Sequence, residues 1–441
     1  MKYYIWTSGC QMNVADSRQV SSALEQLNYQ ETDRAENADV VVLNTCVIRQ
    51  SAEDSATGRI SSLQGLKRKN PNMVINVMGC LVGVKGHQHL AERFPHVDVF
   101  SPPSDPGPLI AYLTQDESRA LEEETTARRF AFMDEELPLP KNHSDQVTAY
   151  VHIVLGCSHA CTYCIVPYRR GPERSRPVEN IAMEVKSLVK QGVKEITLLG
   201  QIVDRYGVDL PQKPTLSSLL REVHDTPGLE RLRFLTSHPN WMTNELLDTV
   251  AELPKVMPHI EVPIQSGDDE VLANMKRGYT TDEYRELIHR IRTRIPNVGI
   301  ANDIIVGFPG ETEEQFQHTY NILEELKLDV AHLARYSGRQ GTVATRRMKD
   351  NVPEEEKWRR FRVLEELQKG IAAEINSRYE GKTVKVLFEN KVRGRWRGRT
   401  PNNKLVFTET EQNLHGKVIP VTITWTGPWS MQGKVETRSK K

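Results

Sequence analysis

Cys157-Ser-His-Ala-Cys161-Thr-Tyr-Cys164 contains three of the six cysteines in this chain of 441 residues. The stretch directly follows an apolar run, residues 150–156, so the three thiols lie on one tight loop after a predicted strand. Three thiolates on such a loop can bind three irons of a [4Fe–4S] cluster, which four cysteines normally close. The spacing therefore predicts a cluster with one open iron, where a small molecule can bind.

Two other interpretations of these cysteines are open from the residues alone. His159 lies between Cys157 and Cys161, so a Cys3His zinc site of the closed, four-ligand kind is one alternative. Buried structural thiols or disulfides are the other. The chain begins Met1-Lys-Tyr-Tyr-Ile-Trp6, which is typical of a strand and not of a secretory signal. We therefore expect a cytoplasmic protein with reduced thiols, in which clustered cysteines indicate a metal or catalysis.

The other three cysteines, Cys10, Cys46 and Cys80, form no local motif, but each one follows a predicted strand. Two helix-like stretches, Asp16–Leu27 and Ala52–Lys69, separate them, and this β-α-β-α-β rhythm predicts a parallel sheet. Loops at the carboxyl ends of such strands share one edge, where ligands bind. The three thiols should therefore converge on a second cluster with an open iron, although unrelated buried cysteines are an alternative. The predicted strands are Lys2–Thr7, Val40–Asn44 and Val74–Met78.

The rest of the chain predicts two further folding units. Six strand-like runs alternate with helical ones after Val147, and this number of β-α repeats fits an incomplete TIM-like barrel. Residues 383–425 then give short β runs with Gly and Asn turns, typical of a small all-β module. The six runs are Val151–Leu155, Glu195–Leu199, Leu232–Leu235, His259–Val262, Gly299–Val306 and Val330–Leu333.

Charge is distributed unevenly along a chain whose formal net charge is zero. Residues 377–441 carry 14 Lys and Arg against five Asp and Glu, so this end is basic and the body is acidic. Strand alternation through residues 391–399 would place five basic side chains on one face, which suits RNA, although a solvated face is the alternative. No apolar run approaches the 18 residues of a membrane span. The five are Lys391, Arg393, Arg395, Arg397 and Arg399.

The cysteine motif resembles that of the radical S-adenosylmethionine (SAM) enzymes, in which SAM chelates the open iron. The words around the other cysteines, Ser8-Gly-Cys-Gln-Met-Asn13, Asn44-Thr-Cys-Val-Ile-Arg49 and Met78-Gly-Cys80, are similar to those of the radical SAM methylthiotransferases. Within that family they are most similar to the MiaB branch, which acts on N6-dimethylallyl (isopentenyl) adenosine 37 of tRNA. The resemblance implies two [4Fe–4S] clusters, on Cys10, Cys46 and Cys80 and on Cys157, Cys161 and Cys164, with SAM as the second cofactor.

The resemblance also implies a domain organisation of mixed α/β class. Residues 1–118 would form the N-terminal parallel-sheet domain with the auxiliary cluster, and residues 119–145 a linker. Residues 146–375 would form a partial (βα)6 radical SAM barrel, and residues 376–438 an RNA-binding TRAM barrel. The turn Gly398-Arg-Thr-Pro-Asn-Asn403 resembles the glycine-containing turn of that domain.

The SAM pocket implied by the resemblance consists of residues that follow or end predicted barrel strands, together with an aromatic residue inside the cysteine loop. Arg170, Arg174 and Arg176 are further candidates, for a SAM carboxylate or a tRNA phosphate. The chain departs from the family at Ile202 and Asp204, where two amide side chains are usual. The resemblance therefore does not carry over the hydrogen bonds that those amides would make to SAM or to the target base. The pocket residues are Tyr163, Gly200, Gln201, Ser237, Gln265, Ser266 and Asp303.

The resemblance implies methylthiolation of the adenine C2 position in a tRNA anticodon loop. An electron donor such as flavodoxin or ferredoxin and a sulfur source would be further partners. Two related substrates remain alternatives, threonylcarbamoyl-adenosine 37 of tRNA and a ribosomal protein. An alternative of another class is a non-catalytic iron–sulfur RNA-binding sensor, which would have no use for a SAM pocket.

Overall fold

The N-terminal part of the chain is built on a five-stranded sheet whose paired strands are all parallel, as the sequence predicted. The computed structural model describes residues 1–85, 88–115 and 145–435. Strand β3 lies in the middle and is buried along its whole length, because helices cover both faces of the sheet. The strands are β1 Lys2–Thr7, β2 Gln30–Glu31, β3 Val40–Thr45, β4 Val74–Gly79 and β5 Val99–Ser101, in the order β2-β1-β3-β4-β5. The helices are α1 Gln11–Gln26, α2 Gln50–Ser62, α3 Gln64–Lys69, α4 Gln88–Arg93 and α5 Gly107–Thr114.

Helix α1 begins five residues earlier than the sequence indicated. Its N-cap is Cys10, and Asp16, where the helix was expected to begin, lies inside the second turn. The Asp16 carboxylate is buried and accepts hydrogen bonds from Ser104 and Arg170, so it makes tertiary contacts instead of capping the helix. Cys10 is thereby fixed at the point where the chain turns from β1 into α1.

The central part confirms the predicted six-stranded partial barrel. Two three-stranded parallel ladders, β6-β9-β10 and β11-β12-β13, are joined by a bridge between Leu232 and Val256. Threonines cap four of the surrounding helices, α8, α9, α11 and α12, and their hydroxyls accept backbone N–H groups there. The strands are β6 Thr148–His152, β9 Glu195–Leu199, β10 Arg231–Phe234, β11 His259–Glu261, β12 Gly299–Val306 and β13 Val330–Arg335. The helices are α7 Val178–Lys190, α8 Leu216–His224, α9 Asn244–Glu252, α10 Asp269–Asn274, α11 Thr281–Arg294, α12 Glu313–Leu326, α13 Val343–Arg347 and α14 Glu354–Ser377.

A short antiparallel pair projects from the first barrel strand and carries the Cys157–Cys164 loop. Its strands are β7 Val154–Leu155 and β8 Arg174–Ser175, and between them lies helix α6, Val166–Arg170. Ile165, at the start of this helix, packs among the apolar residues of the N-terminal sheet, including Val47 and Leu81. The cysteine loop is therefore attached to both the barrel and the N-terminal part.

The C-terminal part is a closed five-stranded β-barrel, as expected. It docks against the central barrel at the first residues of β10, β11 and β12, where Arg231 donates a hydrogen bond of 2.7 Å to the Arg399 carbonyl. Arg233, two residues further along β10, donates to the carbonyls of Thr400 and Pro401. A Cβ atom on Gly299 would lie 2.6 Å from the carbonyl oxygen of Asn402, so the two parts are in close contact. The strands are β14 Thr383–Val392, β15 Arg395–Arg399, β16 Leu405–Thr408, β17 Val418–Thr426 and β18 Met431–Val435, in the closed order β14-β15-β16-β18-β17.

The predicted linker, residues 119–145, lies outside the described residues except for Asp145. The predicted domain boundaries at residues 118, 145 and 375 stay predictions. Among the residues that the structure describes, no helix is long and apolar enough to cross a membrane.

Candidate active site

The Cys157–Cys164 loop lies at the carboxyl end of the first barrel strand. Gly156 makes the entry to the loop possible, because its φ is +67° and a Cβ there would lie 2.1 Å from the carbonyl oxygen of Pro172. The backbone N–H of Cys157 donates to the Gly171 carbonyl at 3.0 Å and closes the base of the loop. Burial raises the pKa of Cys157 to about 11 and that of Cys164 to about 12.

Cys161 differs from its two neighbours in electrostatic environment. Burial acts to raise its pKa, but contacts with His159 and Arg277 outweigh burial and lower it to about 7. Its Sγ atom lies 3.0 Å from His159 Nδ1 and accepts a hydrogen bond of 3.3 Å from Arg277. Arg277 is 116 residues away in sequence and was not predicted, since no local pattern marks it.

An aromatic group supports the cysteine loop. The His159 ring lies 4.8 Å from the His238 ring and 5.4 Å from the Trp241 ring, measured between centroids. Arg205 in turn stacks over Trp241, with its guanidinium carbon 4.5 Å from the ring centroid. His238 is buried, and burial lowers its pKa to about 2, so its ring is neutral. His159 is therefore held by ring contacts, beside the sulfur of Cys161.

The geometry does not support the zinc alternative. Within residues 1–85, 88–115 and 145–435, no group of three or more His, Cys, Asp or Glu side chains is arranged to hold one metal ion. A [4Fe–4S] cluster has a different requirement, because each of its cysteine ligands binds a different iron atom. The three thiols of one loop fit that requirement. In the described part of the chain all six cysteines are free thiols, so the disulfide alternative is also unsupported.

The second group of cysteines converges at the edge of the N-terminal sheet, as the strand order predicted. Cys46 and Cys80 follow β3 and β4 directly and are 3% and 1% exposed, whereas Cys10 is partly exposed. Gly9 has a φ of +108°, and a Cβ there would lie 2.4 Å from the Cβ of Cys46. Burial raises the pKa of Cys46 to about 11, and the neighbouring thiols of Cys80 and Cys10 also raise it. The three sulfurs therefore form one group, although they are far apart in sequence.

Arg170 joins the two groups of cysteines. It ends helix α6, six residues after Cys164, and its buried guanidinium donates to Asn13 at 2.7 Å and to Ser104 at 3.2 Å. The thiol of Cys80 is another hydrogen-bond partner, and its proximity raises the pKa of Arg170 although burial alone would lower it. Arg170 thus has partners other than the SAM carboxylate or tRNA phosphate that the sequence suggested.

The predicted SAM-pocket residues lie at the same end of the barrel as the cysteine loop. Gly200 and Gln201 follow β9, Ser237 follows β10, and the remaining strand-end residues follow β11 or lie in β12. The structure brings two of them together directly, since the backbone N–H of Gln265 donates to the Asp303 carbonyl at 2.9 Å. The strand-end residues are Gly200, Gln201, Ser237, Gln265, Ser266 and Asp303.

Several of these residues have features typical of a binding site. Gln265 has a φ of +76°, an uncommon conformation for a residue with a side chain. Ser237 is 3% exposed, and within the described part of the chain its hydroxyl has no hydrogen-bond partner. Ser266 is buried next to Thr319, and Tyr163 packs against a cluster that includes Met275. The roles of these residues in binding SAM stay predictions.

The sequence did not identify a pair of carboxyl groups inside the barrel. Burial raises the pKa of Glu261 to about 7, and the neighbouring carboxyl of Asp303 raises it further. Burial also raises the pKa of Asp303. Glu261 belongs to no recognisable sequence motif. Only its position beside Asp303 in the barrel indicates a function.

Ile202 and Asp204, which differ from the usual residues of the family, both have a structural role near the cysteine loop. Ile202 is buried against Cys157 and Val166, so it packs behind the cysteine loop. The Asp204 carboxylate accepts hydrogen bonds of 3.2 and 2.9 Å from the backbone N–H of His238. Asp204 therefore fixes the loop after β10 by the kind of contact that an amide oxygen could also make.

The expected single basic strand is wrong. Residues 391–399 form a β-hairpin, because Arg393 and Gly394 have φ values of +49° and +81° and turn the chain between β14 and β15. Lys391 and Arg393 are exposed, but Arg397 lies 3.1 Å from Glu389 and Arg399 lies beside the same carboxylate. Arg395 alternates with them on β15. The turn at residues 398–403 packs against Arg233 and Gly299 of the central barrel, so its backbone is not available to RNA there.

Three family models match the chain in the order of these three parts. Residues 2–101 match the uncharacterized protein family UPF0004, residues 151–323 the radical SAM superfamily, and residues 377–435 the TRAM domain. The fold is also similar to that of the radical SAM methyltransferase TsrM from Kitasatospora setae. That comparison has a TM-score of 0.54, 16% identity, and coverage of 76% of this chain and 72% of that one. The chain thus contains a radical SAM domain between an N-terminal and a C-terminal unit.

Curated relatives extend over nearly the whole chain and share one name, tRNA-2-methylthio-N(6)-dimethylallyladenosine synthase. The relative from Roseiflexus sp. (strain RS-1) is 47% identical, with coverage of 98% of this chain and 89% of the relative. The relative from Herpetosiphon aurantiacus is 46% identical, with coverage of 98% and 97%. The chain belongs to the family of tRNA-2-methylthio-N(6)-dimethylallyladenosine synthases.

Proposed function

We propose that this protein methylthiolates C2 of N6-(dimethylallyl)adenosine at position 37 of tRNA, giving the 2-methylthio nucleoside. The observation that supports this most directly is the pairing of two cysteine groups, one in the barrel loop and one at the sheet edge, joined by helix α6. A protein that only cleaves SAM needs one such group. Insertion of sulfur requires a site that holds the sulfur atom. A second cluster with an open iron provides such a site.

In this proposal each group of cysteines holds a [4Fe–4S] cluster through three thiolates. Cys157, Cys161 and Cys164 hold the cluster that binds SAM, and Cys10, Cys46 and Cys80 hold the auxiliary one. When bound, the first cluster supplies reductive cleavage of SAM to a carbon radical and the second supplies the sulfur. The thiols must lose their protons to bind iron. Arg277 beside Cys161 and Arg170 beside Cys80 stabilise the negative charge that results.

The strand-end residues would bind and orient SAM over the open iron. Gly200 allows close approach of the backbone, since a Cβ there would already meet Val203 at 3.0 Å. The partnerless hydroxyl of Ser237 and the strained backbone of Gln265 are suited to hydrogen-bonding a ligand. We assign Tyr163, Gln201, Ser266 and Asp303 to the same pocket, because they lie in the same loop or at the same end of the barrel.

The C-terminal barrel would bind the tRNA near the anticodon loop, whose base 37 can be unstacked. Lys391 and Arg393, at the exposed end of the hairpin, are the basic residues best placed to contact phosphates, and Arg395, Arg397 and Arg399 extend this surface along β15. Reduction of the SAM cluster requires an electron donor such as flavodoxin or ferredoxin, and repeated turnover requires a sulfur source. Both are part of the proposal, as is a cytoplasmic location.

The test is anaerobic treatment of tRNA from a strain that lacks its own methylthiotransferase, followed by mass spectrometry of the nucleosides. With reconstituted protein, SAM, sulfide and reductant, we expect the 2-methylthio nucleoside to appear as its precursor disappears. Methylthiolation of threonylcarbamoyl-adenosine instead would overturn the choice of substrate. Absence of 5′-deoxyadenosine would overturn the enzyme assignment and favour an iron–sulfur RNA-binding sensor.

Two sets of variants separate the roles of the two cysteine groups. Replacing Cys10, Cys46 and Cys80 by Ala should halve the iron content, from about eight to about four atoms per chain. These variants should still form 5′-deoxyadenosine but no methylthio product. Replacing Cys157, Cys161 and Cys164 by Ala should abolish both products with the same loss of iron. Equal behaviour of the two sets would contradict the division of roles.

A further inference from the structure

Arg339 is a buried arginine with unused hydrogen-bond donors. Its side chain is 6% exposed and donates through one nitrogen, Nη1, to Gln50 and Glu53 at 3.0 Å each. Its Nε and Nη2 atoms are buried and have no hydrogen-bond partner among the residues that the structure describes. A buried charged group that lacks part of its hydrogen bonds destabilises a protein unless a ligand completes them. These two atoms form the edge of the guanidinium that commonly binds an anion.

The loop that carries Arg339 holds it rigidly. The Arg339 carbonyl accepts hydrogen bonds from the hydroxyls of Thr342 and Thr345 at 2.8 and 2.9 Å. Thr342 also caps helix α13, which fixes the direction of the chain after the loop. The guanidinium is therefore positioned by its backbone as well as by Gln50 and Glu53.

This loop lies between the two groups of cysteines. On one side, Ala344 donates its backbone N–H to the carbonyl of Thr162, which stands inside the Cys157–Cys164 loop, at 2.8 Å. On the other side, Gln50 is the first residue of helix α2, four residues after Cys46. The Cys46 thiol is also close enough to the guanidinium to influence its pKa, although burial, which lowers that pKa, is the larger effect. Arg339 thus lies near Cys46, in a loop that also contacts the Cys157–Cys164 loop.

Arg170, the other arginine near the auxiliary cysteines, differs in this respect. Its donors are already engaged by the protein, with Asn13, Asp16, Ser104 and the Cys80 thiol as partners. A sulfur anion beside three thiolates adds further negative charge to a buried site, which a second cation would offset. Arg339 supplies such a cation together with two N–H groups.

We propose that Arg339 binds the small sulfur anion, hydrosulfide or methanethiolate, that occupies the open position of the auxiliary cluster. Arg339 is then a positioning residue that holds the sulfur between the two clusters. This inference rests on the proposed function, because it requires a cluster on Cys10, Cys46 and Cys80.

The test uses the full-length chain with Cys157, Cys161 and Cys164 replaced by Ala, so that only the auxiliary cluster is present. The reduced cluster is titrated with sodium hydrosulfide and, separately, with sodium methanethiolate, and binding is followed by electron paramagnetic resonance. In this background we expect Arg339→Gln to raise the half-saturating concentration of both anions by about tenfold or more. Arg339→Lys, which keeps the charge, should give a smaller increase. Arg347→Gln, an exposed arginine eight residues along, is the matched control and should give none.

Iron content and tRNA affinity, measured on the same variants, distinguish the other outcomes. Unchanged half-saturation in Arg339→Gln would overturn the inference. Loss of iron in both Arg339 variants would also overturn it, because Arg339 would then only support the cluster. A loss of tRNA affinity with unchanged titrations would identify a phosphate as the partner instead. If the background protein itself bound no iron, the auxiliary cluster of the proposed function would fail, and this inference with it.

Discussion

The guanidinium of Arg170 donates a hydrogen bond of 2.7 Å to the side-chain oxygen of Asn13, across the boundary between the two cysteine-bearing parts. Asn13 itself donates to the carbonyls of Ser8 and Thr45, next to two of the auxiliary cysteines. The two cysteine groups are therefore linked by a chain of hydrogen bonds that begins at helix α6. No local sequence pattern in either part predicts this contact between Arg170 and Asn13.

Replacing Arg170 by Leu should destabilise the protein strongly. The Asp16 carboxylate, whose side chain is fully buried 3.3 Å from Arg170, would lose its arginine partner. Removing one partner of a buried ion pair typically lowers the free energy of unfolding by about 3–5 kcal/mol. Differential scanning calorimetry should show a clear drop in Tm. Adding Asp16→Asn to the variant should restore part of the loss, and failure to do so would argue that the pair is not the cause.

Gly9→Ala should disrupt the auxiliary site. The added Cβ would lie 2.4 Å from the Cβ of Cys46, and the φ of +108° is strained for alanine. We expect iron content to fall by about half and Tm to decrease. The matched control is Gly65→Ala, because Gly65 lies on helix α3 with no atom within 4 Å of its added Cβ. There alanine should stabilise the helix by up to about 1 kcal/mol and leave the iron unchanged. Similar iron loss in both variants would contradict the argument.

Asp204 should make stability depend on pH. Burial raises the pKa of its carboxyl to about 7 in the folded protein, although the His238 N–H and Arg205 oppose this. In the unfolded chain an Asp titrates near 3.9. Between roughly pH 4 and 7 the folded state therefore binds a proton that the unfolded state lacks, so stability falls as pH rises through that range.

The corresponding experiment compares Asp204→Asn with the unmodified protein at pH 5 and pH 8. An asparagine cannot ionise, so the variant should gain more in Tm at pH 8 than at pH 5. Both proteins will keep part of the decrease, because Glu261, whose pKa burial raises to about 7, titrates in the same range. An equal difference in Tm at the two pH values would show that Asp204 does not change its protonation state between them, which would contradict the prediction.

The hairpin end should contribute more to tRNA binding than the rest of the basic surface. Replacing Lys391 and Arg393 by Gln should weaken binding and reduce the slope of log affinity against log salt by about one for each lost phosphate contact. The paired change Arg397→Gln and Arg399→Gln should have a smaller effect, because Glu389 already neutralises part of their charge. Fluorescence anisotropy at several salt concentrations measures both quantities. The opposite ranking would place the RNA along β15.

Local periodicity and motif spacing predicted most of the fold and both groups of cysteines. Strands such as β9 and β12 begin and end where their apolar runs do, because burial on both faces of a parallel sheet leaves a continuous signal. The convergence of Cys10, Cys46 and Cys80 followed from topology, since parallel strands place their carboxyl ends together. The start of α1 was not predicted correctly. Asp16, which the sequence placed at the start of the helix, instead forms a buried ion pair inside it.

The side chains that surround the cysteines could not be predicted in the same way. Arg277, Arg170 and Arg339 contact partners 116, 157 and 289 residues away, and these contacts depend on how the parts of the chain pack together. The hairpin at residues 391–399 was missed for a different reason. Alternation of basic residues continues through Arg393-Gly394, so only the left-handed backbone there reveals the turn.

The hydrogen bond from Arg231 to the Arg399 carbonyl and the close contact of Gly299 with Asn402 attach the C-terminal barrel to the first residues of β10 and β12, whereas the cysteine loop lies beyond the carboxyl end of β6. A five-residue strand spans roughly 17 Å. The C-terminal barrel and the cysteine loop are therefore separated by about the length of one barrel strand. In the proposed function, an RNA bound to the C-terminal barrel would present to the cysteine loop only a nucleotide at a matching distance. The spacing of the two sites would then select a position along the RNA by length as well as by sequence.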